Sequence, residues 1–197
     1  MPANDAMRAF IALPLSPAAL QRAQELSANL QKGARFTGAH PKWVEPENLH
    51  ITLFFLGQIP AQQASAIKAA LQQMAAPMSS FVFRLKRLGV FPHERQPRVL
   101  WLGVGKGEEP LKALQKSVVQ AIRPLGFNPE GKPFHPHVTL ARMQSIKAVR
   151  PLMDLVRSHH LADCGESVAD RVVLFRSELL PGGPNYTELA SVALRQV

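Results

Sequence analysis

Cysteine is almost absent from this sequence. Cys164 stands alone among 197 residues, which excludes an internal disulfide framework and a metal cluster built on several thiolates. A reducing cytoplasm is the expected compartment. Long apolar runs are also missing: nothing approaches the ~18 continuous apolar residues of a membrane helix. The stretch from Ala9 to Leu13 is too short for the core of a signal peptide, so a soluble chain with no membrane partner is expected. Acidic residues are few, 14 against 23 Lys and Arg, leaving a net charge of +9. That balance favours anionic partners, nucleic acid before membrane. No low-complexity segment or flexible linker interrupts the chain, and 46% apolar content suits one compact domain or two closely packed halves.

What is present is a repeat. Arg8 to Leu13 predicts a strand, followed by Ser16 and Pro17 as a helix start and a helical stripe of Leu20, Ala23, Leu26 and Leu30. A loop around Gly33 and Gly38 leads to a strand from Leu49 to Leu56. A helix through Ala64, Ile67, Leu71 and Met74 and a strand from Ser80 to Phe91 complete the first half. The second half replays this order, with a strand from Val99 to Val104 and a helix through Leu111, Leu114, Val118 and Ile122. A crossover from Pro129 to Pro136, a strand from His137 to Arg142, a helix through Val149, Leu152 and Val156, and a strand from Ser167 to Arg176 follow. Tyr186 to Leu194 alternates as one further strand. Corresponding points differ by 87 to 90 residues, too long a period and too few copies for a solenoid. The expectation is a single domain over residues 1–197 made of two similar lobes related by an approximate two-fold axis.

The copied element is His50-Ile51-Thr52-Leu53 and His137-Val138-Thr139-Leu140. Residues two apart share a strand face, so each His and Thr point one way while the aliphatic residues point into the core. Facing lobes would then bring two imidazoles and two hydroxyls together. Phosphodiester cleavage needs that pair, one imidazole to take a proton from the attacking oxygen and one to protonate the leaving oxygen, and histidine holds either state near neutrality. Threonine hydroxyls can donate to phosphate oxygens. A nearby cation would stabilise the extra charge of the transition state.

In these residues the sequence resembles the two-histidine (2H) phosphoesterases, and within them the LigT-type RNA 2',3'-cyclic phosphodiesterases, also called 2'-5' RNA ligases. The resemblance runs through Arg8 to Leu13, Trp43-Val44, Pro46 to Leu53, Phe134 to Arg142 and Gly183 to Tyr186, essentially the whole chain. It implies an α+β fold of two pseudo-symmetric lobes, each an antiparallel-rich sheet with helices outside and the active groove between them. Strand and helix order alone also permits parallel βαβ units. The resemblance further implies hydrolysis of a terminal 2',3'-cyclic phosphate to a 2'-phosphate end, with His50 as proton donor and His137 as proton acceptor. Thr52 and Thr139 would hold the phosphate, and Arg142 would contact it, although its parity is opposite to that of Thr139 unless the strand bulges. A 5'-hydroxyl in place of water would give 2'-5' ligation. No cofactor and no metal enter this scheme. The expected partner is an RNA end bearing a cyclic phosphate, met by a monomer with no obligate protein partner. Phe10 shares a face with Arg8 and is a candidate for stacking on a nucleobase.

Weaker signals receive plainer readings. His135 and His137 form an alternate-residue pair without a neighbouring carboxylate, which argues against a metal site; His135 is expected at the site rim, and His40, His93, His159 and His160 on the surface. Trp43 and Trp101 are expected as core or loop anchors. Six basic residues between Arg84 and Lys106, against the single acid Glu94, either form a solvated face or extend an RNA path. Two rival functions remain open at this point: a 2H enzyme acting on small cyclic nucleotides or 2'-5' oligoadenylate, and a non-enzymatic basic RNA-binding module.

Overall fold

The computed structural model describes residues 6–33, 41–129, 131, 133–143, 149–181 and 183–196. Gly38, His40 and part of the Pro129 to Pro136 crossover lie outside them. In chain order the elements are β1 (Ala6–Pro14), α1 (Pro17–Gly33), β2 (Pro41–Trp43), β3 (His50–Pro60), α2 (Gln63–Ala75), β4 (Phe81–Phe91) and β5 (Val99–Val104). Then follow α3 (Glu108–Ile122), β6 (His137–Met143), α4 (Arg150–Ser158), β7 (Asp163–Ala169), β8 (Arg171–Leu180) and β9 (Gly183–Ala193).

The fold is α+β, a curled antiparallel sheet with four α-helices among the described residues. The strands run in the order β7-β4-β5-β6-β3-β1-β8-β9, with β2 paired to β6. Its midpoint falls between β6 and β3, joined at one register pair, Ile51 with Val138. A single continuous sheet therefore stands where two separate ones were expected, and it is thinnest at its centre. On one face the aliphatic residues of β3 and β6 are sealed: Ile51, Val138 and Leu140 are fully buried. Helices α2 and α3 pack on each other and on β3, α2 also meets β9, and α1 lies on β7.

The order of strands in space is not that of the chain. The final strand of the first half, β4, pairs with β5 and β7 of the second, while β8 pairs with β1 of the first. The two halves are interleaved by exchange of their third strands.

Local departures from the sequence expectations have physical causes. Ser167 to Arg176 is not one strand, because the chain turns a corner at Asp170, whose carbonyl accepts from the Leu194 N–H at 2.7 Å; one residue without Gly or Pro gives no turn signal. In α1 the buried stripe is Ala19, Ala23, Ser27 and Leu30, with Leu20 and Leu26 only partly covered. Small residues face inward there because α1 packs on β7. Strand β2 is three residues long, too short to show a period.

Candidate active site

The two HxT triplets sit back to back at the centre of the sheet. Because β3 and β6 run antiparallel about Ile51 and Val138, His50 lies toward Thr139, and Thr52 toward His137. Cross-strand neighbours in such an arrangement are about 5 Å apart, so all four polar residues share the sheet face opposite the sealed aliphatics.

His50 is held from several directions. Its Nδ1 lies 2.8 Å from the Asn48 carbonyl, which can only accept, so Nδ1 carries the proton. Its Nε2 is then the acceptor for the Thr52 hydroxyl at 3.0 Å. The ring stacks on Phe10 at 4.9 Å between centroids and meets the edge of Tyr186 at 5.6 Å. Asn48 is itself anchored, its Nδ2 donating to the Pro184 carbonyl at 2.9 Å. Burial in this aromatic box, aided by the positive charges of Arg142 and His137, pushes the imidazole down to about 4 from an ordinary 6.5.

His137 is less confined. Its Nδ1 donates to the His135 carbonyl, and its ring meets Phe91 edge-on at 5.0 Å, with Trp101 at 6.4 Å. Burial again lowers its pKa, assisted by Arg142 and His135. Among the described residues no bond joins its Nε2 to Thr139, so that nitrogen is open to the groove.

Arg142 reaches this centre despite its parity. Between Leu100 and Trp101 the partner positions on β6 jump from Ala141 to Thr139, which makes Leu140 the extra residue of a β-bulge and reverses the faces beyond it. The same happens on β3, where Leu53 is skipped between Phe54 and Thr52. Each bulge follows its threonine directly and brings one more side chain to the groove. On β6 that residue is Arg142, whose charge acts on His50, His137 and Tyr186. On β3 it is Phe55, which stands 58% exposed and 6.3 Å from Phe10.

Phe10 corrects an expectation. It is 3% exposed and packed against His50, Phe175 and Tyr186, so it has no open face for a nucleobase. Strands β8 and β9, distant in sequence, bring the residues that cover it. Phe55 is the aromatic that sequence reasoning missed; the bulge that exposes it leaves no mark in the hydrophobic pattern.

Two cavities flank the histidines. Beside His50 a cavity of about 560 Å³ is lined by Glu45, Glu47, Asn48, Phe175, Asn185 and Tyr186. Beside His137 one of about 250 Å³ is lined by Lys86, Arg87, Phe91, Trp101, Glu108 and His135. The basic stretch from Arg84 to Lys106 thus divides: Arg84 is paired with Asp163 at 2.9 Å, whereas Lys86 and Arg87 reach the His137 cavity. His93 and His160 are exposed, and His159 is half-buried against Leu155. Trp43 is partly buried on β2, opposite Ala141. Cys164 is buried, which pushes its thiol up to about 11. No helix among the described residues is long and apolar enough to cross a membrane.

Comparison with known proteins places this geometry. The model of the 2'-5' RNA ligase superfamily matches residues 14–178. An RNA 2',3'-cyclic phosphodiesterase of Aquifex aeolicus is 40% identical over 147 residues, covering 74% of this chain and 78% of the relative. The protein of the same name from Methanothermobacter thermautotrophicus is 32% identical over 93% of this chain and 96% of its own. Among solved structures, TT0787 of Thermus thermophilus superposes with a TM-score of 0.75 at 29% identity, covering 96% of this chain and 99% of that one. LigT of Escherichia coli complexed with 3'-AMP superposes with a TM-score of 0.75 at 26% identity, covering 98% and 100%.

Proposed function

The chain belongs to the 2'-5' RNA ligase superfamily, and from that premise we propose that it is an RNA 2',3'-cyclic phosphodiesterase, opening a terminal cyclic phosphate to a 2'-phosphate end by two-histidine acid and base catalysis. The observation that carries this reading is the antiparallel meeting of the two HxT triplets about Ile51 and Val138.

In this mechanism His137 is the base. Its Nδ1 is committed to the His135 carbonyl, which leaves Nε2 to take the proton of an attacking water. His50 is the acid that protonates the departing 3' oxygen. Its burial disfavours the imidazolium in the free protein, and the anionic phosphate reverses that penalty, so the proton arrives with the substrate. Once Nε2 of His50 is protonated it no longer accepts from Thr52, whose hydroxyl turns to a phosphate oxygen; Thr139 holds another. Arg142 stabilises the charge that builds on the phosphorane. Phe10, Phe175 and Tyr186 position His50, and Phe55 offers its open face to a nucleobase. Two imidazoles supply both proton transfers, so the scheme requires no metal and no cofactor. The same displacement with a 5'-hydroxyl in place of water gives a 2'-5' linkage.

We further read residues 1–197 as one domain of two lobes about the Ile51 to Val138 axis, acting as a cytoplasmic monomer on RNA ends. The near-palindromic strand path and the matched bulges support the lobes.

The test is incubation with a short RNA ending in 2',3'-cyclic phosphate, in EDTA, beside His50→Ala and His137→Ala. Conversion to a 2'-phosphate end by the parent and by neither variant is expected. Turnover that survives both substitutions, or a parent inactive on this RNA, would overturn the reading.

A further inference from the structure

The cavity beside His137 gives a water molecule access to the base in the hydrolysis described above, but its lining offers far more than a water needs. Its floor is Trp101, lying over Gly89 so closely that a methyl group there would collide with the indole. Phe91 packs on Trp101 at 5.1 Å, and the indole Nε1 is buried with no hydrogen-bond partner among the described residues. Lys86 and Arg87 stand on the wall. Glu108, the acid of the lining, is engaged by Lys112 at 3.0 Å.

Arg87 is held there at a cost. Its φ of 71° is left-handed, a conformation that glycine adopts without strain and other residues seldom do. It lies in the irregular step between Leu85 and Leu88 of β4, its N–H donating to the Ala162 carbonyl at 2.8 Å. A cationic side chain kept at a glycine-like position beside a reactive centre marks a functional constraint.

In-line displacement decides which side of the groove each reactant occupies. The leaving 3' oxygen and its ribose lie toward the acid, His50, so the donor nucleoside fills the larger cavity. The nucleophile enters from the opposite side, past the base. We propose that the His137 cavity is the binding site for a second nucleoside, the RNA 5' end whose hydroxyl replaces water, its base lying against Trp101 and Phe91 and its following phosphate against Lys86 and Arg87. This rests on the phosphodiesterase reading and the acid and base assignment above. The step balances without a co-reactant: the 5' oxygen forms its bond to phosphorus and gives its proton to His137, while the bond from phosphorus to the 3' oxygen breaks and that oxygen takes the proton of His50. The products are a 2'-5' diester and a 3'-hydroxyl.

The rim of the other cavity carries Glu45 and Glu47, acceptors for hydroxyl and amino groups of the donor nucleoside.

The experiment measures the ratio of ligated to hydrolysed product from a cyclic-ended trinucleotide as a 5'-hydroxyl oligonucleotide is titrated. Both products arise from one donor complex, so losses in donor binding cancel in the ratio. Saturation with acceptor is expected. Arg87→Gly and Lys86→Gln should each lower the ratio about tenfold at sub-saturating acceptor, which is the loss of one phosphate contact, while Arg87→Gly melts no lower than the parent. Hydrolysis without any ligated product, a ratio that never saturates, or a ratio unmoved by both variants would overturn the proposal. If the variants instead raise only the KM of the donor, the cavity holds the donor strand and the proposal also falls. A parent that does not hydrolyse the donor overturns the phosphodiesterase reading itself, and this one with it.

Discussion

The two sides of the groove start from one design and end differently. Each has an HxT strand, a bulge directly after the threonine, and an imidazole whose Nδ1 is tied to a main-chain carbonyl two residues upstream. Around His50 the later strands add an aromatic box and a wide, acid-rimmed cavity; around His137 they leave an open Nε2, a cation from the bulge and a smaller, base-rimmed cavity. A duplicated motif delivers the pair of imidazoles, and in the mechanism proposed above their unlike neighbours assign each one its proton.

The largest effect should ignore this difference. His50→Ala and His137→Ala are each expected to lower kcat by about 10³-fold, the scale of a lost acid or base, in single-turnover cleavage of a cyclic-ended RNA. A variant retaining a tenth of the activity would break the claim that both sides are needed.

Next come the paired post-bulge residues, where the sides should separate. Arg142→Ala is expected to lower kcat about 10²-fold. Because a positive charge penalises both imidazolium forms, its removal should also raise both histidine pKa values, so a kcat/KM profile peaking on the acid side of neutrality should move to higher pH. Phe55→Ala should leave kcat nearly intact and raise KM about tenfold, the value of one stacked base. Equal kcat losses at the two positions would show that the groove is functionally symmetric.

Phe10→Leu sharpens the comparison from the His50 side alone. Loosening the ring it stacks on should reduce kcat several-fold with little change in KM, and cost about 1 kcal/mol of stability by urea denaturation. The last effect is on acid stability rather than on turnover. The unfolded chain protonates His50 near 6.5 and the folded one near 4, so folding stability attributable to this group is intact above 6.5 and falls as pH drops toward 4. By pH 4.5 the loss should be roughly 2.5 kcal/mol, and His50→Gln should remove it from the difference between urea midpoints at pH 7.5 and 4.5.

Much of this was legible in the sequence because chemistry and period coincided. His50 and His137 stood out as a spaced duplicate, and the alternation around them assigned the aliphatic residues to a sealed face. What escaped reading depended on long-range partners. Arg142 and Phe55 turn toward the groove through bulges that only the opposing strand defines. Phe10 was expected to be open because β8 and β9, which cover it, arrive some 160 residues later. Trp101, expected as an anchor, stands beside His137 because glycines at 89 and 103 make room for its ring.

The exchange of third strands has a consequence for how the enzyme comes into being on the ribosome. Strand β1 emerges early but stays without its β8 partner until Arg171 to Leu180 has been made, and closing so distant a contact is a late event in folding. His50 therefore waits, with its motif complete, for Phe175 and Tyr186 to enclose it. A nascent or truncated chain that stops before β8 and β9 would carry both histidines and yet lack the enclosed imidazole, so the site is assembled only after Arg171 to Ala193 has been synthesised.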